Sequence, residues 1–196
     1  MAVPPPSMSA DLSKPAQRAE LRALRDAFVL ALAPGERARL EAEAARHLGP
    51  LIAGARSVAF YHALGGEMDC GPAIDAAAAA GIAVALPHVE ARGAPMRFLA
   101  WAPGDRLVPG WRGLLQPEAD SPPVSPDIVI APLLGFDSAL RRIGQGAGFY
   151  DRALAALPDV KKIGWGWSIQ QRPAIASDPW DVPLDAVVTE AGVIGG

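Results

Sequence analysis

The chain has a single cysteine, Cys70, among 196 residues. That excludes an intrachain disulfide framework and fits a reducing compartment. Aromatic residues are sparse at 6%, and positive charge is not in excess: 18 Lys and Arg stand against 21 Asp and Glu, a formal net charge of −3. Such a chain lacks the basic surface that bulk nucleic-acid binding needs, so no nucleic-acid partner is expected, while a local basic pocket for a small anion remains compatible. Long apolar runs are missing too. The longest nearly uncharged stretch, residues 76–87, is mostly alanine and too short to cross a bilayer, so no membrane partner is expected. The first residues carry neither the basic start nor the apolar core of a signal peptide, which points to a soluble, cytoplasmic protein.

What is abundant is small and apolar: 51% of residues are hydrophobic, with 20 glycines and 20 prolines, and the mean hydropathy is +0.18. Much of the hydrophobic share is alanine, yet it suffices for the core of one domain, as the length suggests. Residues 1–15 contain Pro4-Pro5-Pro6 and Pro15 and read as a disordered Pro/Ser-rich tail; 16–196 reads as a single domain.

Leu21, Leu24, Phe28 and Leu32 recur at spacings of three and four, which predicts a helix over 16–33, broken by Pro34-Gly35. Arg18, Arg22 and Arg25 form a second, basic row, a pattern that by itself usually faces water. A second helix is expected over 36–47, closing near Gly49-Pro50. Residues 57–64 read as a strand, 72–80 as a helix and 82–86 as a strand, a unit that implies parallel pairing and a right-handed crossover. Further strands are expected over 96–101, 127–131, 162–167 and 185–189, and a helix over 150–157; 102–126 and 168–184 are rich in proline and read as irregular. The alternation predicts an α/β fold, a three-layer sandwich with a mostly parallel central sheet flanked by helices.

The densest chemistry is in Arg142-Ile143-Gly144-Gln145-Gly146-Ala147-Gly148-Phe149-Tyr150-Asp151-Arg152. Strand, glycine-rich loop and helix in that order can aim backbone N–H groups and a helix N-terminus at a phosphate. The alternate glycines allow close backbone approach to a ligand. Arg142 and Arg152 can fork onto phosphate oxygens, and Asp151 is a candidate Mg²⁺ ligand. The spacing is neither Walker A nor Rossmann, and an ordinary glycine-rich turn with a surface Asp–Arg pair satisfies the same residues.

The full content of this stretch resembles the R-L-G-x-G-x-G-Y-Y-D-R signature of the 5-formyltetrahydrofolate cyclo-ligase family. Other landmarks fall in the same order: Tyr61 followed by Glu67-Met68-Asp69, Leu86-Pro87, Met96-Arg97-Phe98, Gly113-Leu114-Leu115-Gln116-Pro117, the run 127–132 with Phe136-Asp137, Ile163-Gly164 with Gln170, Asp181 four residues before Asp185, and Val188-Thr189-Glu190. The similarity covers about residues 18–190. It implies an ATP- and Mg²⁺-dependent ligase of one-carbon metabolism, acting as a monomer, that closes 5-formyltetrahydrofolate to 5,10-methenyltetrahydrofolate with release of ADP and phosphate.

The resemblance also implies roles. Arg142, Ile143, Gly144, Gln145, Gly146, Ala147, Gly148, Phe149 and Tyr150 match the ATP-phosphate loop, with Arg142 and Tyr150 at the reaction and Gln145 to Phe149 bordering the folate. Asp151 and Asp181 match Mg²⁺ positions. Two basic residues four apart on the first helix, here Arg18 and Arg22, match ATP contacts. Glu67 matches a folate-contacting acid, with Tyr61 and His62 on the adjoining strand end. Trp111 and Trp180, in loops, are candidates for pterin stacking, whereas Trp165 belongs in the core. Departures from the usual pattern lie at Arg18, Gln116, Gln145, Ala147 and Phe149. Two other functions fit the same residues: a non-catalytic nucleotide- or folate-binding regulator, and an ATP-dependent enzyme with another substrate.

Overall fold

The computed structural model describes residues 13–196, so most of the expected tail, residues 1–12, lies outside the described residues. The last residues of that tail are helical. Helix α1 spans Lys14–Ala31, with Pro15 in its first turn, where a missing N–H is harmless. Helix α2, Glu36–Ile52, runs past Gly49-Pro50, where the sequence predicts a break. Pro50 forfeits one intrahelical bond, but Leu48 and Ile52 are buried in the core and hold the last turn. His47 is therefore interior to the helix, and its Nδ1 lies 3.0 Å from the Thr189 carbonyl.

The sheet has seven strands in the order β11-β10-β9-β6-β1-β2-β3. These are β1 (Ser57–Ala59), β2 (Ala83–His88), β3 (Arg97–Ala100), β6 (Ile128–Pro132), β9 (Lys161–Trp165), β10 (Ala186–Thr189) and β11 (Gly192–Gly195). The five central strands are parallel; β3 and β11 pair antiparallel at the edges. Helix α3, Gly71–Ala79, connects β1 to β2, and the two strands pair in parallel as the strand–helix–strand pattern requires.

Alternation along the strands divides the core. Val58, Val84, Ile128, Ile130, Ile163 and Val188 share one cluster with residues of α2 and α3. Ala59, Ala85 and Val129 face the other way, toward Leu154 of α4 (Phe149–Ala155). That is the expected three-layer arrangement. The segment 102–126 is less irregular than its prolines suggest: β4 (Val108–Pro109) and β5 (Leu115–Gln116) pair around a 3-10 turn, Trp111–Gly113. A second hairpin, β7 (Gly135–Phe136) and β8 (Arg142–Ile143), separates β6 from the glycine-rich loop. Asp137, completely buried, organises its turn by accepting from the N–H groups of Ala139, Arg141 and Ile175.

Helix α1 is anchored beside that loop by Leu21, which is buried with Leu134, Ile143 and Ile175. Gly135 makes this possible, because a Cβ there would lie 2.7 Å from a Leu21 methyl. Among the described residues no helix is long and apolar enough to cross a membrane.

Candidate functional site

Beyond Ala59 the chain leaves the sheet, so the strand expected over 57–64 ends early and residues 60–64 form a loop. Residues at or just past the carboxyl ends of β1, β2 and β6, including Tyr61, His62, Val89 and Pro132, line a cavity of about 520 Å³. Strands are added on one side of β1 by β2 and β3 and on the other by β6, β9 and β10. The chain thus changes direction between β1 and β6, and a crevice outside such a switch point is where open α/β sheets hold ligands.

The glycine-rich loop forms one wall, and each of its glycines carries a guanidinium. Arg18 donates through Nε to the Gly144 carbonyl at 3.0 Å. A Cβ on Gly144 would lie 3.2 Å from Arg142 Nη1, one on Gly146 3.3 Å from Arg18 Nε, and one on Gly148 2.8 Å from Arg152 Nη1. Gly146 and Gly148 also need positive φ, +98° and +68°. The close approach expected of these glycines is therefore made first by the protein's own arginines. Helix α4 has only seven residues, so its dipole adds little and the arginines carry the positive charge. A protein of net charge −3 in this way lines one cavity with Lys14, Arg18, Arg112, Arg142 and Arg152.

Two carboxylates expected to bind metal face the same cavity. Asp151 Oδ1 accepts from Arg142 Nη2 at 2.6 Å. Arg142 is buried, and its Nε has no hydrogen-bond partner among the described residues. Asp181 accepts from Lys14 Nζ, which also reaches Asp178 Oδ2 at 2.6 Å, and from the Asp178 N–H at 2.7 Å. Burial works to raise the Asp181 pKa, but the Lys14 ammonium, the Asp178 N–H and the Arg142 charge outweigh it and hold the carboxyl below its ordinary value. Burial works to lower Lys14, and its bonds to Asp178 and Asp181 more than offset that, so its pKa is raised. Carboxylate oxygens beside a cluster of cationic side chains are a donor set that Mg²⁺ can use, since it takes one or two carboxylates and completes its shell with phosphate oxygens and water. Among the described residues no cluster of three or more acidic, His or Cys side chains could hold an ion without such help.

Another part of the lining is aromatic and hydrogen-bonded. The Tyr61 hydroxyl donates to the Met68 carbonyl at 2.9 Å, and Gln145 Nε2 donates to Glu67 Oε1 at 2.9 Å. The Trp111 ring meets Phe149 edge-on, centroids 5.2 Å apart, with Arg112 over the Trp111 face and Arg152 over Phe149. Gln116, one of the departures from the usual pattern, accepts from the Val89 N–H at 3.0 Å and pins β5 to the end of β2. Burial above all pushes the Tyr150 phenol far up, and its hydroxyl has no partner among the described residues. Tyr150 is thus a neutral O–H donor at physiological pH.

Of the expected site residues, Arg18, Tyr61, His62, Glu67, the run from Arg142 to Asp151, and Asp181 all line the cavity. Arg22 does not; it touches Gln145 instead. The basic pair four apart that faces the cavity is Lys14 and Arg18, one turn earlier than the pair the sequence suggests. Lys14 escapes a reading of the sequence that assigns residues up to 15 to the tail, although the same spacing ends on it. Asp178, Arg112 and Arg152 also line the cavity. Arg25, expected in a solvated row, is only 5% exposed. Trp111 and Trp180 line the cavity as candidate stacking surfaces, and Trp165 is buried in the core as expected.

Known proteins resemble the chain over nearly its whole length. A family model described as the 5-formyltetrahydrofolate cyclo-ligase family matches residues 10–190. The 5-formyltetrahydrofolate cyclo-ligase of Escherichia coli (strain K12) is 33% identical over 172 residues, 83% of this chain and 94% of that protein. The enzyme of the same name from Mycolicibacterium smegmatis is 33% identical over 162 residues, 76% of this chain and 81% of that one. In three dimensions the chain is similar to Aquifex aeolicus 5,10-methenyltetrahydrofolate synthetase, with a TM-score of 0.75, 29% identity, and coverage of 90% of this chain and 91% of the other.

Proposed function

The chain belongs to the 5-formyltetrahydrofolate cyclo-ligase family, and on that premise we propose that it converts 5-formyltetrahydrofolate to 5,10-methenyltetrahydrofolate in an ATP- and Mg²⁺-dependent reaction at this cavity. The observation that carries the reading is the juxtaposition, in one cavity, of a cation-lined wall with two carboxylates and a neighbouring region around Glu67, Trp111 and Phe149. That arrangement suits a polyphosphate beside a flat, polar heterocycle.

The chemical problem is that a formyl oxygen is a poor leaving group. Attack of that oxygen on the terminal phosphorus breaks the bond to ADP. N10 then attacks the formyl carbon and loses its proton, and the oxygen departs as phosphate. The protein's contribution is positioning and charge neutralisation. Arg18 and Lys14 take the phosphates, and the free Arg142 Nε donates to an oxygen at the transfer point. Tyr150 offers a neutral hydroxyl beneath the loop, and Glu67 with Tyr61 and His62 orients the folate. Asp151 and Asp181 would hold Mg²⁺, whose contribution when bound is to neutralise charge on the phosphate oxygens.

Purified protein given MgATP and 5-formyltetrahydrofolate is expected to develop the near-ultraviolet absorbance of the methenyl product. Asp151→Asn should lower turnover by at least about a hundredfold, the scale of removing one charge-stabilising group from such a site. Absence of both the absorbance and ADP would sink the reading. Binding of ATP or folate without turnover would identify a regulator, and ADP release stimulated by some other compound would identify a different substrate.

A further inference from the structure

The three arginines of α1 lie three and four residues apart on one stripe, yet each meets a different partner. Arg18 lies on the glycine-rich loop. Arg22 stops short of the cavity, and its Nη2 donates to Gln145 Oε1 at 2.8 Å. That bond orients the Gln145 amide. With its oxygen toward Arg22, its NH₂ faces Glu67 and donates to Oε1 at 2.9 Å. Arg25, buried behind, presents an Nη1 that has no hydrogen-bond partner among the described residues and lies 4.0 Å from the same Glu67 oxygen. The second Glu67 oxygen accepts from the Leu64 N–H at 2.9 Å.

A carboxylate bonded on both oxygens, with a guanidinium close by, is held in one orientation. Without Arg22 only the Glu67 bond orients the amide, which can then swing away from Glu67 or flip. In the flipped amide the carbonyl oxygen faces Glu67 and two acceptors oppose each other, so Arg22 adds to the preference for the bonded orientation. Gln145 can serve as this relay because an amide carries an acceptor and a donor at opposite corners, which neither a tyrosine nor an arginine at the same position provides.

We infer that Arg22 is a positioning residue of the folate half of the site, acting through Gln145 on Glu67, and not a nucleotide contact. The inference rests on the proposed function for the assignment of Glu67 to the folate.

Steady-state kinetics of the whole protein test it. Arg22→Ala is expected to raise KM for 5-formyltetrahydrofolate about three- to tenfold, the worth of one hydrogen bond, and to leave KM for MgATP within about twofold. Arg18→Ala should do the reverse. Arg22→Lys keeps a donor and should recover most of the folate KM. Gln145→Leu should resemble Arg22→Ala, and the double variant should be no worse than Gln145→Leu alone. A raised MgATP KM in Arg22→Ala, or additive effects in the double variant, overturns the inference. A parent protein without turnover refutes the proposed function instead, and the relay is then read directly. In ¹⁵N-labelled protein the Gln145 side-chain amide signal, identified by its loss in Gln145→Leu, should shift in both Arg22→Ala and Glu67→Gln; a signal unmoved in both refutes the relay.

Discussion

Lys14→Met separates the two duties open to the first residue of α1. The substitution removes the ammonium that Asp178 and Asp181 share and keeps an unbranched apolar stem. Its effect on folding should be small. Lys14 and Asp181 are each 15% exposed at the side chain and Asp178 is 39% exposed, so these are partly solvated pairs. At ~0.2–1 kcal/mol per pair, losing both costs about 2 kcal/mol at most, which is no more than about 8 °C in Tm for a chain of this size. The Asp178 N–H continues to brace Asp181. Ligand binding should respond more strongly, and with opposite signs for two ligands. If Lys14 moves from the carboxylates to the phosphates as MgATP enters, the variant loses a charge-assisted hydrogen bond of about 1.5–3 kcal/mol, and Kd for MgATP rises about ten- to hundredfold. Mg²⁺ alone should bind more tightly, because Asp178 and Asp181 no longer have a resident cation. Calorimetric titration with MgATP and with MgCl₂ reads both. Unchanged MgATP affinity with a Tm loss beyond about 10 °C would refute the argument and make Lys14 a structural clamp.

Gly146→Ala places a Cβ at φ +98° and 3.3 Å from Arg18 Nε. The backbone strain is roughly 1–2 kcal/mol, and relief by pushing Arg18 aside should weaken MgATP binding more than it lowers Tm; an unchanged Kd for MgATP would show that Arg18 does not need its place on the loop. Acid should destabilise the fold through Asp127. The Arg56 guanidinium, followed by the Arg56 and Ser57 N–H groups, holds its carboxyl at about 2 against an ordinary 3.8. A lowered pKa in the folded state stabilises above the unfolded value and is lost as pH falls through the folded one, so its contribution is complete above 3.8 and fades toward about 2. Tm measured from pH 5 to 2 should fall less steeply in Asp127→Asn; identical slopes would remove Asp127 from the account.

The elements that can be read along the chain are those whose signal is local. Leu21 and Phe28 mark a helix by spacing, and the run 127–131 marks a strand because it is apolar almost throughout. The strand–helix–strand segment around α3 implies its own parallel pairing. Elements that depend on a partner leave no such mark. β11, with glycine at both ends, exists because β10 pairs with it, and β7 and β8 have two residues each. Helix ends escape the sequence where burial overrides a breaker, as at Pro50.

The site divides in the same way. Residues Arg142 through Asp151 are consecutive, so covalent connection alone brings the glycines, the arginine and the Asp151 carboxylate together, and their chemistry is legible in residue order. Lys14 and Arg18 join them only because Leu21 buries itself on Ile143 and fits the space left by Gly135. The Arg18–Gly144 bond spans 126 residues of sequence, and the Lys14–Asp181 pair spans 167. No local pattern distinguishes a basic row that faces water from one in which Arg18 lies on the loop, Arg22 turns to Gln145 and Arg25 is buried behind Glu67. That assignment follows from the rotation of α1 about its axis, which is set by packing contacts distributed over the whole helix.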